Sequence, residues 1–173
     1  MSLQSHVLLT AKNLFDDLQT LGVTMSASVP VVYKTPLFDD LITEPSLRKK
    51  TEKLFKDGHH ARAVEEAYKL LDNHVKKRAG TKESKTGSSL MQTAFSANNP
   101  ILRLNAGKSD SEKDEQMGYM SIYAGCMTGI RNPRAHESDW EDTEQRALQL
   151  LVFANHLIER VILAKKARKA KNC

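Results

Sequence analysis

An all-helical bundle is the fold class that this chain predicts, and three features point to it. Ala, Leu and Lys dominate while aromatic residues make up only 6% of 173 positions, a composition that favours helix over sheet. Apolar residues recur at helical spacing in several separate stretches. No stretch shows a sustained alternation of apolar and polar residues, the mark of a half-buried strand.

The elements follow in order. Residues 2–21 read as a first helix through Val7, Ala11, Leu14, Leu18 and Leu21, ended by Gly22. Residues 23–44 carry Pro30, Pro36 and scattered Ser and Thr, and read as a linker with a short apolar piece at Val29–Tyr33. The chain therefore divides into an N-terminal helix and linker, 1–44, and a helical domain, 45–173. Ser46 is expected to cap a second helix ending near Gly58, with Leu47, Leu54 and Phe55 inward. A third runs from about His60 to Ala79. Val64, Ala67, Tyr68, Leu71 and Val75 form its inner stripe, and Glu65, Glu66, Lys69, Asp72, Lys76 and Lys77 its outer face. Residues 80–88 form a polar loop. Leu90, Met91, Ala94 and Phe95 mark a short helix that Asn98, Asn99 and Pro100 stop. Ile101–Leu104 has the length of an extended piece.

Ser109 or Ser111 starts the next helix, whose inner series is Met117, Met120, Tyr123, Ala124, Met127 and Ile130, with the methionines as core filler. Ser138 and Glu141 resemble a capping box for a last helix from about Glu141 to Lys169. Its apolar residues cover more than one face. Such a helix lies central to a bundle or packs on a second subunit.

Charge and cysteine content narrow the function. The net charge is +5. Residues 1–44 hold two basic and five acidic side chains, and the remaining 24 basic and 16 acidic give +8. A basic domain suits a polyanion or simply carries lysine-rich helix surfaces. No apolar run is long enough for a membrane span, and residues 1–20 lack the pattern of a signal peptide. Cys126 and Cys173 form neither a disulfide framework nor a metal-ligand spacing. A cytoplasmic protein without metal or cofactor is expected.

The chemistry concentrates in Arg131-Asn132-Pro133-Arg134-Ala135-His136. Arg131 follows Met127 by four residues and so prolongs the inner stripe of its helix. Pro133 disfavours a helical Asn132, and Asn followed by Pro reads as an N-cap and first helical residue. With Asn132 as cap, Arg131 and His136 take the two positions of a hydrophobic staple, which places them side by side. A guanidinium can hold a phosphate bidentately and offset charge in the transition state. An imidazole can take a proton from a ribose 2′-OH or give one to the leaving oxygen. The plainer alternative is a well-capped helix junction with a surface Arg and a solvated His.

The segment resembles the R-x-x-x-x-H signature of HEPN ribonucleases, including a polar residue after the Arg. Leu54-Phe55-Lys56-Asp57-Gly58-His59-His60, Ala63-Val64-Glu65-Glu66-Ala67, Leu90-Met91-Gln92-Thr93-Ala94-Phe95-Ser96 and Gly129-Ile130-Arg131-Asn132-Pro133 are similar to the Ymh-like abortive-infection family of HEPN proteins. The resemblance covers about residues 45–165. It implies a HEPN-like helical bundle with an extra N-terminal helix and linker. It also implies a metal-independent endoribonuclease acting as a toxin or effector in antiviral defence, with Arg131, Asn132 and His136 as the catalytic set. RNA is the implied substrate, a homodimer with a composite active site the implied assembly, and a regulatory or antitoxin protein a further implied partner. Catalytically inactive HEPN modules also exist. The alternative is therefore a module that binds RNA, nucleotide or a partner protein.

Arg134 departs from the family pattern and either adds phosphate affinity or stands as a solvated charge. Gln92 and Ser96, four residues apart, either line a pocket facing the motif or are ordinary polar residues at a helix end. Lys165 and Lys166 begin a run of five cations within seven residues. That run can track a phosphate backbone or form a solvated helix end. His59 and His60 are expected to shape a turn rather than bind metal, and His74 and His156 to take structural or surface roles. Trp140 is expected to cover the start of the last helix, with base stacking as the alternative.

Overall fold

The computed structural model describes residues 38–81 and 85–167, together with Lys12, Asn13, Asp16, Asp17 and Thr20. The chain divides into two compact units, 1–35 and 36–173. The described residues of the first unit are helical and exposed, and the Thr20 hydroxyl donates to the Asp16 carbonyl at 2.9 Å. The rest of the first predicted helix, the Val29–Tyr33 piece and residues 168–173 of the basic tail lie outside the described residues.

The second unit is a helical bundle, as the sequence predicts. It opens with a single turn, α1 (Phe38–Leu41), that the composition reads as linker. Phe38 and Ile42 instead bury in the core, and Phe38 stacks on Phe55 with ring centroids 5.1 Å apart. The backbone N–H groups of Thr43 and Glu44 both donate to Asn155 Oδ1, at 3.0 and 2.8 Å. Residues 38–44 are thereby tied to the last helix.

Helix α2 (Pro45–Lys56) is capped by Glu44, whose carboxylate accepts from the Leu47 N–H at 2.6 Å. Pro45 takes the first helical position, where its missing N–H costs nothing. Ser46, the expected cap, lies inside the first turn and donates to the Glu44 carboxylate. Helix α3 (His60–Ala79) matches its predicted span. All five predicted inner residues are fully buried, each contributing about 1.5–3 kcal/mol where it is a large apolar side chain. It ends at Gly80, whose φ of +67° is the left-handed cap conformation. Glu65 departs from its predicted outer position and is buried. Burial alone would raise its carboxyl. The Lys69 ammonium and the Arg62 guanidinium bonded to it outweigh that and hold it below the usual range.

Helix α4 (Gly87–Ala94) buries Leu90, Met91 and Ala94. Strand β1 (Leu102–Arg103) pairs antiparallel with β2 (Lys165–Lys166), Leu102 opposite Lys166 and Arg103 opposite Lys165. Helix α5 (Asp110–Gly125) starts with a reciprocal capping box between Ser109 and Glu112. Met117, expected in the core, is 49% exposed. A wider π-helical stretch, Cys126–Arg131, continues into α6 (Asn132–His136). Helix α7 (Glu144–Leu163) is capped by Thr143, which accepts from the Arg146 N–H at 3.2 Å. Ser138, the expected cap, donates instead to Asp139.

The central element is α3, which packs against α2, α4, α7 and the π stretch. The phenols of Tyr68 and Tyr123 reach across the core to the carbonyls of Leu150 and Leu157, so neither buried hydroxyl lacks a partner. Burial raises both phenols well above their ordinary value. Among the described residues no helix is long and apolar enough to cross a membrane.

Candidate functional site

The motif sits where α5 changes pitch. In regular α-helix, Pro133 would remove one hydrogen bond and press its ring on the carbonyl of Gly129. The chain avoids this by widening. The Asn132 N–H donates to the Met127 carbonyl five residues back, and the α-helical pattern resumes with Glu137 N–H to Pro133 carbonyl at 2.9 Å. Cys126 and Met127 anchor the wide stretch in the core, where burial pushes the Cys126 thiol up to about 11. Side chains also bond two carbonyls along this stretch. Thr128 Oγ1 donates to the Ala124 carbonyl at 3.2 Å and Arg134 Nη1 to the Ile130 carbonyl at 2.7 Å.

This corrects the expected staple. Asn132 has φ −62° and ψ −44°, fully helical, so it is not an extended cap, and residues 110–136 form one continuous rod. Five residues at 100° each turn about 140° around the axis. Arg131 and His136 therefore leave the rod on different sides, and no hydrogen bond joins them within the chain.

Arg131 is half-buried. Its Nη1 donates to Asn132 Oδ1 at 3.1 Å. It opens on a cavity of about 300 Å³ shared with Lys69, Asp72, Asn73 and Lys76 of α3 and with Thr86 and Gly87 at the start of α4. Asp72 is partly spent, since its Oδ1 accepts from the Gly87 N–H at 2.6 Å. Of the three lining cations, Lys69 is ion-paired to Glu65 and Glu66 and Lys76 lies 3.8 Å from Asp72, which leaves Arg131 as the one without an ion pair among the described residues. Lys69, Asn73 and Lys76 follow one another at four and three residues, a helical stripe that was legible in sequence. Its convergence with Arg131, which depends on α3 packing against the π stretch, was not. His136 is exposed at the end of α6.

Arg134 is neither a phosphate ligand nor a solvated charge. Its side chain is 2% exposed and that of Asp142 0%. The guanidinium donates from Nε and Nη2 to the two carboxylate oxygens, at 2.6 and 2.7 Å. Arg146 lies 3.5 Å from the same carboxylate. Arg134 and Arg146 also lie 5.4 and 5.9 Å from the Trp140 ring, so Trp140 covers the first turn of α7 as expected.

Gln92 is exposed, and Ser96 accepts from the Asn99 N–H at 3.4 Å. Neither lines the Arg131 cavity. Lys165 and Lys166 lie in β2, not in a prolonged helix. That helix stops because Ala164 turns to ψ 141° and its carbonyl accepts two bonds from Arg78. His59 and His60 begin α3 and face the 137–142 loop across a polar cleft of about 830 Å³. His74 Nε2 lies 3.1 Å from Ser46 Oγ, and His156 Nε2 lies 2.7 Å from the Tyr119 hydroxyl. Among the described residues no group of three or more His, Cys, Asp or Glu side chains is placed to hold a metal ion.

No curated protein and no solved structure is similar enough to be matched. The model of the family described as "Protein of unknown function (Hypoth_ymh)" matches residues 42–161, more than half of the chain, and the protein belongs to that family.

Proposed function

We propose that this protein is a metal-independent endoribonuclease of the HEPN type that works as a homodimer. The observation that carries the reading is that one six-residue segment carries both Arg131, which opens on a cavity lined also by Lys69 and Lys76, and the exposed imidazole of His136 on another side of the rod. Arg131, with Lys69 and Lys76, holds the scissile phosphate and offsets its growing charge. His136 takes the 2′-OH proton as the ribose oxygen attacks phosphorus. The bond to the 5′ oxygen breaks and that oxygen takes up a proton. The products end in a 2′,3′-cyclic phosphate and a 5′-hydroxyl. Asn132 orients Arg131 through their hydrogen bond.

The separation of Arg131 from His136 within one chain supports a site built from two copies. One chain holds Arg131 and His136 on different sides of the rod. Gly118, Ile122, Gly125 and Gly129 are all exposed and recur every three or four residues. A Cβ built at any of the three glycines meets nothing within 4 Å. A face so bare accepts a second helix closely, and a two-fold interface would set two motifs at one cleft. The likeness of the motifs to abortive-infection proteins supports a toxin or effector role in antiviral defence.

Purified protein incubated with RNA in EDTA, beside His136→Ala, tests the chemistry. We expect cyclic-phosphate ends from the wild type and loss of cleavage in the variant. Equal cleavage by both removes His136 from the mechanism, and cleavage abolished by EDTA removes the metal-free chemistry. Ile122→Glu should yield monomers by sedimentation and lose cleavage. A second reading, an RNA-binding module without catalysis, draws on the separation of Arg131 from His136 in one chain. Binding without cleavage by the wild-type dimer would select it.

A further inference from the structure

A second basic groove lies on the other side of α3. It measures about 590 Å³ and is lined by His74, Lys77 and Arg78 of α3, Val161 and Ile162 of α7, and Lys166 of β2. Its chemistry is divided. Lys77, Arg78 and Lys166 supply positive charge, while Val161 and Ile162 supply an apolar floor. Ile162 is 42% exposed although it is a large aliphatic residue.

Part of this charge is already employed. Arg78 donates from Nε and Nη2 to the Ala164 carbonyl, which joins α3 to the end of α7 and leaves the Nη1 edge of the guanidinium unbonded. The Lys166 amine packs over Gly80, where a Cβ would come within 3.1 Å of it, at the negative end of the α3 dipole. Lys77 is exposed and makes no ion pair. Among the described residues no acidic side chain lines the groove, in contrast to the Arg131 cavity with its Asp72.

Lys76 lines the Arg131 cavity and Lys77 the second groove. Consecutive helical residues point about 100° apart, and a helix with its side chains is about 10–12 Å across. The two basic sites thus flank one helix near its C-terminal end, within reach of a single flexible strand.

We propose that this groove is an RNA-strand exosite. It holds a phosphate of the segment flanking the cleavage point on Lys77, Arg78 and Lys166, with the adjoining base laid on Ile162. The inference rests on the RNA reading above but not on catalysis. It adds that the strand crosses the C-terminal turn of α3, so that recognition reaches beyond the scissile linkage.

The test measures binding of fluorescent single-stranded RNA to the full-length His136→Ala protein across a salt series, with and without Lys77→Gln and Lys166→Gln. Each single-strand phosphate contact lowers the log–log salt slope by about 0.7. The double variant, which removes two of the three cations on that one phosphate, should therefore flatten it by up to about 0.7, and Lys77→Gln alone by about half of that. A strand of about ten nucleotides should sense both changes, and a dinucleotide neither. Because Lys166→Gln also touches the end of α3, each variant's melting temperature is measured in parallel. Lys77→Gln, an exposed change, keeps the test decisive even if Lys166→Gln fails to fold. An unchanged slope with the long strand overturns the exosite, as does a wild type that binds no RNA. Loss of the slope term in a protein that never cuts RNA would uphold the exosite and defeat only the nuclease reading.

Discussion

Removing the Asp142 carboxylate should destabilise the helical unit severely. The carboxylate is completely buried and accepts two charge-assisted hydrogen bonds from an Arg134 side chain that is itself 2% exposed. Asp142→Ala leaves that guanidinium buried without its anion. Loss of one partner from such a pair costs about 3–5 kcal/mol. The local geometry adds to the cost, because Arg134 and Arg146 both lie against Trp140 and the only carboxylate between them is gone. For a unit of this size about 3–5 kcal/mol lowers the melting temperature by about 10–20 °C.

The measurement is thermal unfolding followed by circular dichroism, on Asp142→Ala, Asp142→Asn and the paired replacement Arg134→Met with Asp142→Leu. Asp142→Asn keeps the volume and one acceptor, and should fall between wild type and alanine. The paired replacement removes both charges, and should recover much of the loss because the desolvation cost disappears with them. An alanine variant melting within about 3 °C of wild type, roughly 1 kcal/mol, would refute the assignment of a buried, coupled pair. So would a paired replacement no more stable than the alanine single.

Two further changes test the fold locally. Gly80→Ala forces a Cβ into the left-handed region at φ +67° and towards the Lys166 amine. Lys166 can move, so the backbone strain decides the cost, about 1–2 kcal/mol, read as a lower urea midpoint. The Glu65 carboxyl is held below its ordinary value of 4.5 by Lys69 and Arg62. A lowered folded value means that its contribution is complete above the ordinary value and is lost as pH falls through the folded one. Wild type should therefore lose more stability than Glu65→Gln between about pH 5 and pH 3, measured by urea unfolding at each pH. Parallel curves for the two proteins would contradict the ion-paired Glu65.

What could be read from sequence depended on whether local signals agreed. In α3 an unbroken 3.6-residue pattern ends at a glycine that can cap, and both boundaries were legible. The start of α7 was not, because Ser138, Asp139 and Thr143 are all competent caps and only the burial of Asp142 selects Thr143. Its end was hidden by helix-favouring Ala and Lys. There the deciding term is non-local, since the Ala167 N–H donates to the Ile101 carbonyl at 2.9 Å and Arg78 bonds the Ala164 carbonyl. Residues 38–44 read as linker because prolines precede them, yet Phe38 and Ile42 fill the core. Met117 fits the helical stripe of α5 but faces outward.

The motif itself shows how a correct local rule can select the wrong structure. A proline can be accommodated either by ending a helix before it or by widening the helix so that the missing bond and the ring clash vanish. Asn132 is suited to the first solution and the chain takes the second. Packing decides between them. Cys126 and Met127 are buried, and ending the helix at Asn132 would redirect the rod that carries them. A side chain from the next turn also bonds a carbonyl of the widened stretch. Arg134 does so at Ile130 while its other edge grips Asp142. Within the six-residue segment, Arg134 is thus the residue that fixes the pitch change and the loop after His136 together. Arg131 and His136 are left free of structural duty, the condition that a binding or proton-moving group requires.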